Sequence, residues 1–91
     1  MKYKIEVFEK MMESRVVAVL RKFDTSKVVP LAQALVEGGI TAIEITMDTE
    51  NALQAIADVR KALGKDIAVG AGTVLDPETG RAAMLAGAQF L

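Results

Sequence analysis

The chain contains no cysteine, no histidine and no tryptophan, and only two prolines. Without thiols or imidazoles it has no disulfides, no thiolate nucleophile, no zinc site of the usual Cys/His kind and no imidazole acid–base chemistry. Any proton transfer must use Glu, Asp, Lys, Tyr or water. An excess of one charge is missing too: 11 basic and 12 acidic residues leave a net charge of -1. Interspersed as they are, they create no positive field for a phosphate backbone, which argues against a nucleic-acid partner. A long hydrophobic run is also lacking. Met1 to Lys10 alternates charge with hydrophobe and reaches neither the apolar region of a signal peptide nor the length of a membrane span. The expectation is a soluble, cytoplasmic protein with no membrane partner.

What is present suits one small domain: 91 residues, 52% of them hydrophobic. Residues 4 to 13 place Ile5, Phe8 and Met12 at helical spacing and predict a short amphipathic leading helix. Val16-Val17-Ala18-Val19-Leu20 then reads as a buried strand ending in Arg21-Lys22. Asp24-Thr25-Ser26 supplies N-cap chemistry for a helix whose stripe is Val28, Leu31 or Ala32, Leu35 and Val36, with Pro30 in its first turn and Gly38-Gly39 as its stop. After the strand Ala42-Ile43-Glu44-Ile45-Thr46, Asp48-Thr49 is expected to cap a helix carrying Leu53, Ile56, Val59 and Leu63. Ile67 to Val74 is a third strand with a glycine-rich end, and Asp76-Pro77-Glu78 opens a helix that runs to Gly87. Ala88-Gln89-Phe90-Leu91 reads as the beginning of a fourth strand.

Strand starts near residues 16, 42, 67 and 89 define a βα repeat, the mark of parallel units joined by right-handed crossovers. Such a repeat builds either a doubly wound sheet or a (β/α)8 barrel. A barrel takes roughly 200 to 250 residues, so residues 1–91 read as a single incomplete domain, the front part of something larger. Open strand edges would leave such a chain, taken alone, unstable or self-associating.

Glu44 is the least expected side chain in its run. A strand covered by helices is nearly continuous hydrophobe, and a charge inside it costs several kcal/mol unless paired or hydrogen-bonded. Alternation places Ala42, Glu44 and Thr46 on one face and Ile43 and Ile45 on the other, toward the helices. The same phase groups Val17, Val19 and Arg21, and is expected to group Val69, Ala71 and Thr73. Arg21, Glu44 and Thr73 then meet near the C-terminal strand ends, where α/β sites are built. Two readings stand. Glu44 is a general base with a cation and a hydroxyl beside it, suited to a small anionic carbonyl compound; or Arg21 simply neutralises Glu44 in a buried pair.

Gly70-Ala71-Gly72-Thr73 admits either an anion-binding cradle or tight packing of small residues in a narrow interior. Leu75 stands where a dinucleotide fingerprint needs glycine. Asp48 and Asp76 are read as helix caps before catalysts. Lysines 2, 4, 10, 27, 61 and 65 fall on helices or loops, and Lys22 points away from the Arg21 face, so no buried lysine offers imine chemistry. Met11, Met12, Met47 and Met84 are packing residues.

Val16-Val17-Ala18-Val19-Leu20-Arg21, Ala34-Leu35-Val36-Glu37-Gly38-Gly39-Ile40, Ile43-Glu44-Ile45-Thr46, Val69-Gly70-Ala71-Gly72-Thr73-Val74-Leu75 and Ala86-Gly87-Ala88-Gln89-Phe90, in that order and spacing, resemble the N-terminal part of the 2-keto-3-deoxy-6-phosphogluconate and 4-hydroxy-2-oxoglutarate aldolase family. The resemblance implies the first three βα units and the start of the fourth strand of a (β/α)8 TIM barrel, after a short N-terminal helix. It implies a class I aldolase needing no metal or other cofactor, usually a homotrimer, that splits a keto-deoxy sugar-acid phosphate into pyruvate and glyceraldehyde 3-phosphate. In it Glu44 matches the proton-transfer carboxylate, Thr73 the residue holding the pyruvate carboxylate, and Arg21 a substrate-binding arginine of some members. Asp48 stands where some members carry a substrate-contacting arginine, and that role does not transfer. The imine-forming lysine and the phosphate site are expected beyond residue 91, which would leave these residues alone inactive. The other readings are a non-catalytic, self-associating βα fragment and another phosphate-sugar barrel lyase or synthase.

Overall fold

The structure, a computed structural model, describes residues 2–91. Its elements are α1 (Lys2–Ser14), β1 (Ala18–Leu20), α2 (Val28–Glu37), β2 (Ala42–Thr46), α3 (Ala52–Leu63), β3 (Ala68–Gly72) and α4 (Pro77–Ala86). Single 3-10 turns at Thr25–Lys27 and Gly64–Asp66 lead into α2 and β3.

Local chemistry sets the boundaries. The Asp24 carboxylate accepts the Ser26 N–H at 3.1 Å and starts the turn before α2. At α4, Pro77 occupies the first turn, where its missing N–H is harmless, and Asp76 accepts the Thr79 N–H at 2.8 Å. The Thr79 hydroxyl and N–H hold the Asp76 carboxyl below the usual carboxylate range. Gly87, at φ 120°, ends α4 in a conformation that disfavours a side chain. The expected cap of α3 is corrected: Asn51, in the left-handed region at φ 59° and without a side-chain capping bond, occupies that position. Asp48 is engaged elsewhere.

The three strands are parallel in the order β1-β2-β3, with Val19 beside Glu44 and Glu44 beside Gly70. A parallel bridge from Gly70 to Phe90, with Gln89 N–H to Val69 O at 2.7 Å, continues the sheet by one position, as expected of a fourth strand. One face of the sheet, Ile43, Ile45, Val69 and Ala71, packs on Val28 and Ala32 of α2, Ala55, Ile56 and Val59 of α3, and Ala83 of α4. Sequential strand order with these three helices on a single face is the winding of a (β/α)8 barrel and not of a doubly wound sheet. The arc is the opening part of such a barrel.

The other face is the barrel interior. At its N-terminal end, Val7 packs with Ala42 and Ala68, and Met11, Val17 and Phe90 lie against them, so α1 closes the bottom. This corrects the expected face of α1, because Ile5, Phe8 and Met12 are more than half exposed and Val7 is buried. The helix crosses the strand ends and touches them along a narrow seam that periodicity alone does not locate. The first strand is corrected as well. It is three residues long and lies at the edge, leaving Val19 54% exposed on the interior face. In α2 and α3, Ala32, Ala52 and Ala55 take core positions while Leu31 and Leu53 sit at the periphery, since small side chains let a helix approach a sheet closely.

Candidate functional site

The C-terminal ends of β1, β2 and β3 carry Arg21, Glu44 with Asp48, and Thr73. Ladder register fixes which side chains share the interior face: Glu44 is level with Val19 and Gly70, and Thr46 with Gly72. The expected grouping of Val69 and Ala71 with Glu44 is therefore overturned, because both are fully buried on the helix side. The glycines occupy the interior positions instead. A Cβ at Gly72 would overlap the Glu44 carboxylate, and one at Gly70 would overlap the Phe90 ring. Of the two sequence readings of the glycine pair, the structure displays close packing: Gly72 is the space into which Glu44 lies.

Thr73 still reaches the site, by another route. It follows the last residue of β3 and adopts φ 52°. A β-branched residue in the left-handed region is a strained outlier, and strain of this kind persists where surrounding contacts hold it. The contact is Arg21, whose Nη2 donates to Thr73 Oγ1 at 2.9 Å while its Nη1 donates to Asp48 Oδ2 at 3.2 Å. One guanidinium thus ties the ends of all three strands together.

Arg21 does not form the buried pair with Glu44 that the sequence left open. Among the described residues the ion pairs are Lys10–Glu13 and Arg21–Asp48. Glu44 is half-buried on the interior face with no cation bonded to it. The Thr46 hydroxyl, and after it the Arg21 guanidinium, hold the Asp48 carboxyl below the ordinary carboxylate range.

The loops beneath are held by buried threonines. Thr46 Oγ1 and Thr49 Oγ1 share a hydrogen bond of 2.9 Å, and Thr49 Oγ1 accepts the Lys22 N–H at 2.8 Å. Sequence reasoning gives no site role to these two threonines and reads Asp48 as a helix cap. The available signal was the register: with Val19 level with Glu44, Arg21 falls level with Thr46 and within reach of an acidic residue two places later.

The chain is similar to known proteins over most of its length. The family described as KDPG and KHG aldolase matches residues 7–91. The 2-dehydro-3-deoxy-phosphogluconate aldolase of Treponema pallidum is 42% identical over 87 residues, which are 96% of this chain and 41% of the relative. The 2-keto-3-deoxy-6-phosphogluconate aldolase of Zymomonas mobilis superposes with a TM-score of 0.79 at 36% identity, over 92% of this chain and 40% of that one. A designed cube-shaped protein cage, made by fusing symmetric oligomeric domains, matches with a TM-score of 0.75 at 30% identity over 79% of this chain and 27% of its own. The chain spans about two fifths of the length of its Treponema relative. With the family pattern running from α1 to the last residue, over a parallel arc wound as a barrel, the chain belongs to the KDPG and KHG aldolase family.

Proposed function

We propose that these residues supply the proton-transfer and carboxylate-binding part of a class I aldolase acting on 2-keto-3-deoxy-6-phosphogluconate. The observation that carries this is Glu44: an interior carboxylate seated on Gly72, with the neighbouring arginine bonded to Asp48 and Thr73 instead. In the reaction an amine adds to the substrate carbonyl and the carbinolamine loses water. The bond between carbons three and four then breaks as the hydroxyl on carbon four gives up its proton. Glyceraldehyde 3-phosphate leaves, the remaining enamine gains a proton at carbon three, and hydrolysis of the imine returns pyruvate and the amine. Glu44 gives a proton to the departing hydroxyl in the dehydration, takes the proton of the carbon-four hydroxyl as the enamine forms, and returns it to carbon three when the enamine is quenched. Thr73 binds the carboxylate of the keto acid, with Arg21 beside it.

The amine comes from outside these residues. Lysines 2, 4, 10, 22, 27, 61 and 65 lie on helices or in loops and none belongs to a strand. By themselves, then, the 91 residues do not turn over substrate. No helix among the described residues is long and apolar enough to cross a membrane. The likeness to a cage built from oligomeric domains accords with a homo-oligomer, a trimer in this reading.

A chimera joining residues 1–91 to the remaining βα units of the Zymomonas mobilis aldolase tests the proposal. Expected is pyruvate release from 2-keto-3-deoxy-6-phosphogluconate in a coupled assay. A folded chimera that cleaves only keto acids of another class would refute the substrate assignment.

A further inference from the structure

We infer that Asp48 is a positioning residue: by holding Arg21 across the strand ends it fixes Thr73 as a hydrogen-bond donor toward the carboxylate of a small 2-oxo acid. The inference rests on the carboxylate-binding role proposed above for Thr73 and assigns a determinant of it.

A threonine hydroxyl has one hydrogen and two lone pairs, so free in solution it can accept from or donate to an approaching ligand. Here Arg21 Nη2 occupies an acceptor site of Oγ1 at 2.9 Å. A guanidinium has no lone pair to offer in return, so the Thr73 proton stays available and its oxygen is polarised by a cation. That is the state in which a hydroxyl binds carboxylate best.

Arg21 does not hold this pose unaided. Its side chain is 53% exposed and Asp48 is 31% exposed, so the guanidinium would otherwise sample many rotamers. The 3.2 Å contact with Asp48 Oδ2 fixes one end of the planar fork, and a fixed plane directs the other nitrogen at Thr73. Taken together, the paired side chains carry no net formal charge. In this arrangement Arg21 orders a donor more than it attracts an anion, which leaves the Glu44 carboxylate without a competing cation.

The test uses the chimera of residues 1–91 introduced above, with isotope-labelled arginine and threonine methyl groups, as wild type, Asp48→Asn and Asp48→Ala. Two signals are followed by NMR: restricted rotation of the Arg21 guanidinium, and the Thr73 methyl shift during titration with pyruvate. In the wild type the Arg21 nitrogens are expected to give separate, slowly exchanging resonances. Asp48→Ala collapses them and weakens the pyruvate response on the order of tenfold, the loss expected of one charge-assisted hydrogen bond. Asp48→Asn, which keeps an acceptor but not the charge, falls between and guards against a variant that misfolds. Unchanged Arg21 resonances in Asp48→Ala would overturn the inference. Collapse of those resonances with an unchanged pyruvate response would overturn it as well. If pyruvate shifts Thr73 in none of the three chains, the carboxylate-binding reading fails while the brace formed by Asp48 and Arg21 stands.

Discussion

Glu44→Gln in the chimera should lower kcat by roughly 10²–10⁴, the range contributed by a positioned general acid–base. The amide has the shape of the carboxylate and still fits the space that Gly72 leaves, so the fold and the pocket persist. What it loses is the ability to give a proton to the departing carbinolamine hydroxyl, and to take the proton of the carbon-four hydroxyl on cleavage and return it to the enamine. KM should change little, because the proposed function gives the ligand carboxylate to Thr73, and a loss in kcat at constant KM identifies an interaction made only in the transition state. A steady-state assay checks both constants. A loss smaller than about tenfold would assign the proton transfer to another group or to water.

Ile45→Ala should remove about 2–5 kcal/mol of folding stability, the ordinary cost of deleting a large aliphatic side chain from a core. Ile45 is fully buried on the helix face of β2, in the cluster that joins the sheet to α2, α3 and α4. Backbone pairing with Ala71 on one side and Leu20 on the other limits how far the site can collapse into the space left behind. For a domain whose total stability is about 5–15 kcal/mol the loss is severe. Urea unfolding of the isolated chain should show a lower midpoint at unchanged slope. Val19→Ala provides the contrast, because Val19 is more than half exposed on the open face and its truncation should fall within about 0.5 kcal/mol. Equal effects at the two positions would contradict the assignment of helix face and interior face.

The opposite behaviour of these two residues also marks how far the sequence could be read. Ile43 and Ile45 alternating with Glu44 gave the faces of β2 correctly, because a period of two leaves no other arrangement once one face is apolar. The same rule failed on β3. There both faces are made of small residues, so Val69-Gly70-Ala71-Gly72 reads equally well in either phase, and only pairing with β2 decides it. Thr73 nevertheless reached Arg21, since a single residue at φ 52° redirects the side chain after the strand ends. Backbone sign at one threonine leaves no trace in composition or periodicity.

Long-range effects account for the remaining differences. The stripe Ile5, Phe8 and Met12 identified a helix correctly but not its neighbours, because α1 meets the sheet through Val7 and Met11 at the strand ends. Asp48 preceding a helix suggested a cap, whereas three residues separate it from Ala52, and the carboxylate is drawn across to Arg21. Asp76, directly before Pro77, does cap as expected. The difference lies in loop length: a cap must be adjacent to the first turn it serves.

The central claim is that the 91 residues hold the base and the carboxylate-binding hydroxyl of an imine-forming aldolase whose amine lies outside them. Its most direct test is reductive trapping: the isolated chain and the chimera are each incubated with pyruvate and borohydride, and intact mass is measured. The account predicts a single covalent pyruvate adduct on the chimera and none on the 91-residue chain. A stoichiometric adduct on the isolated chain, or its absence from a folded and active chimera, would contradict it.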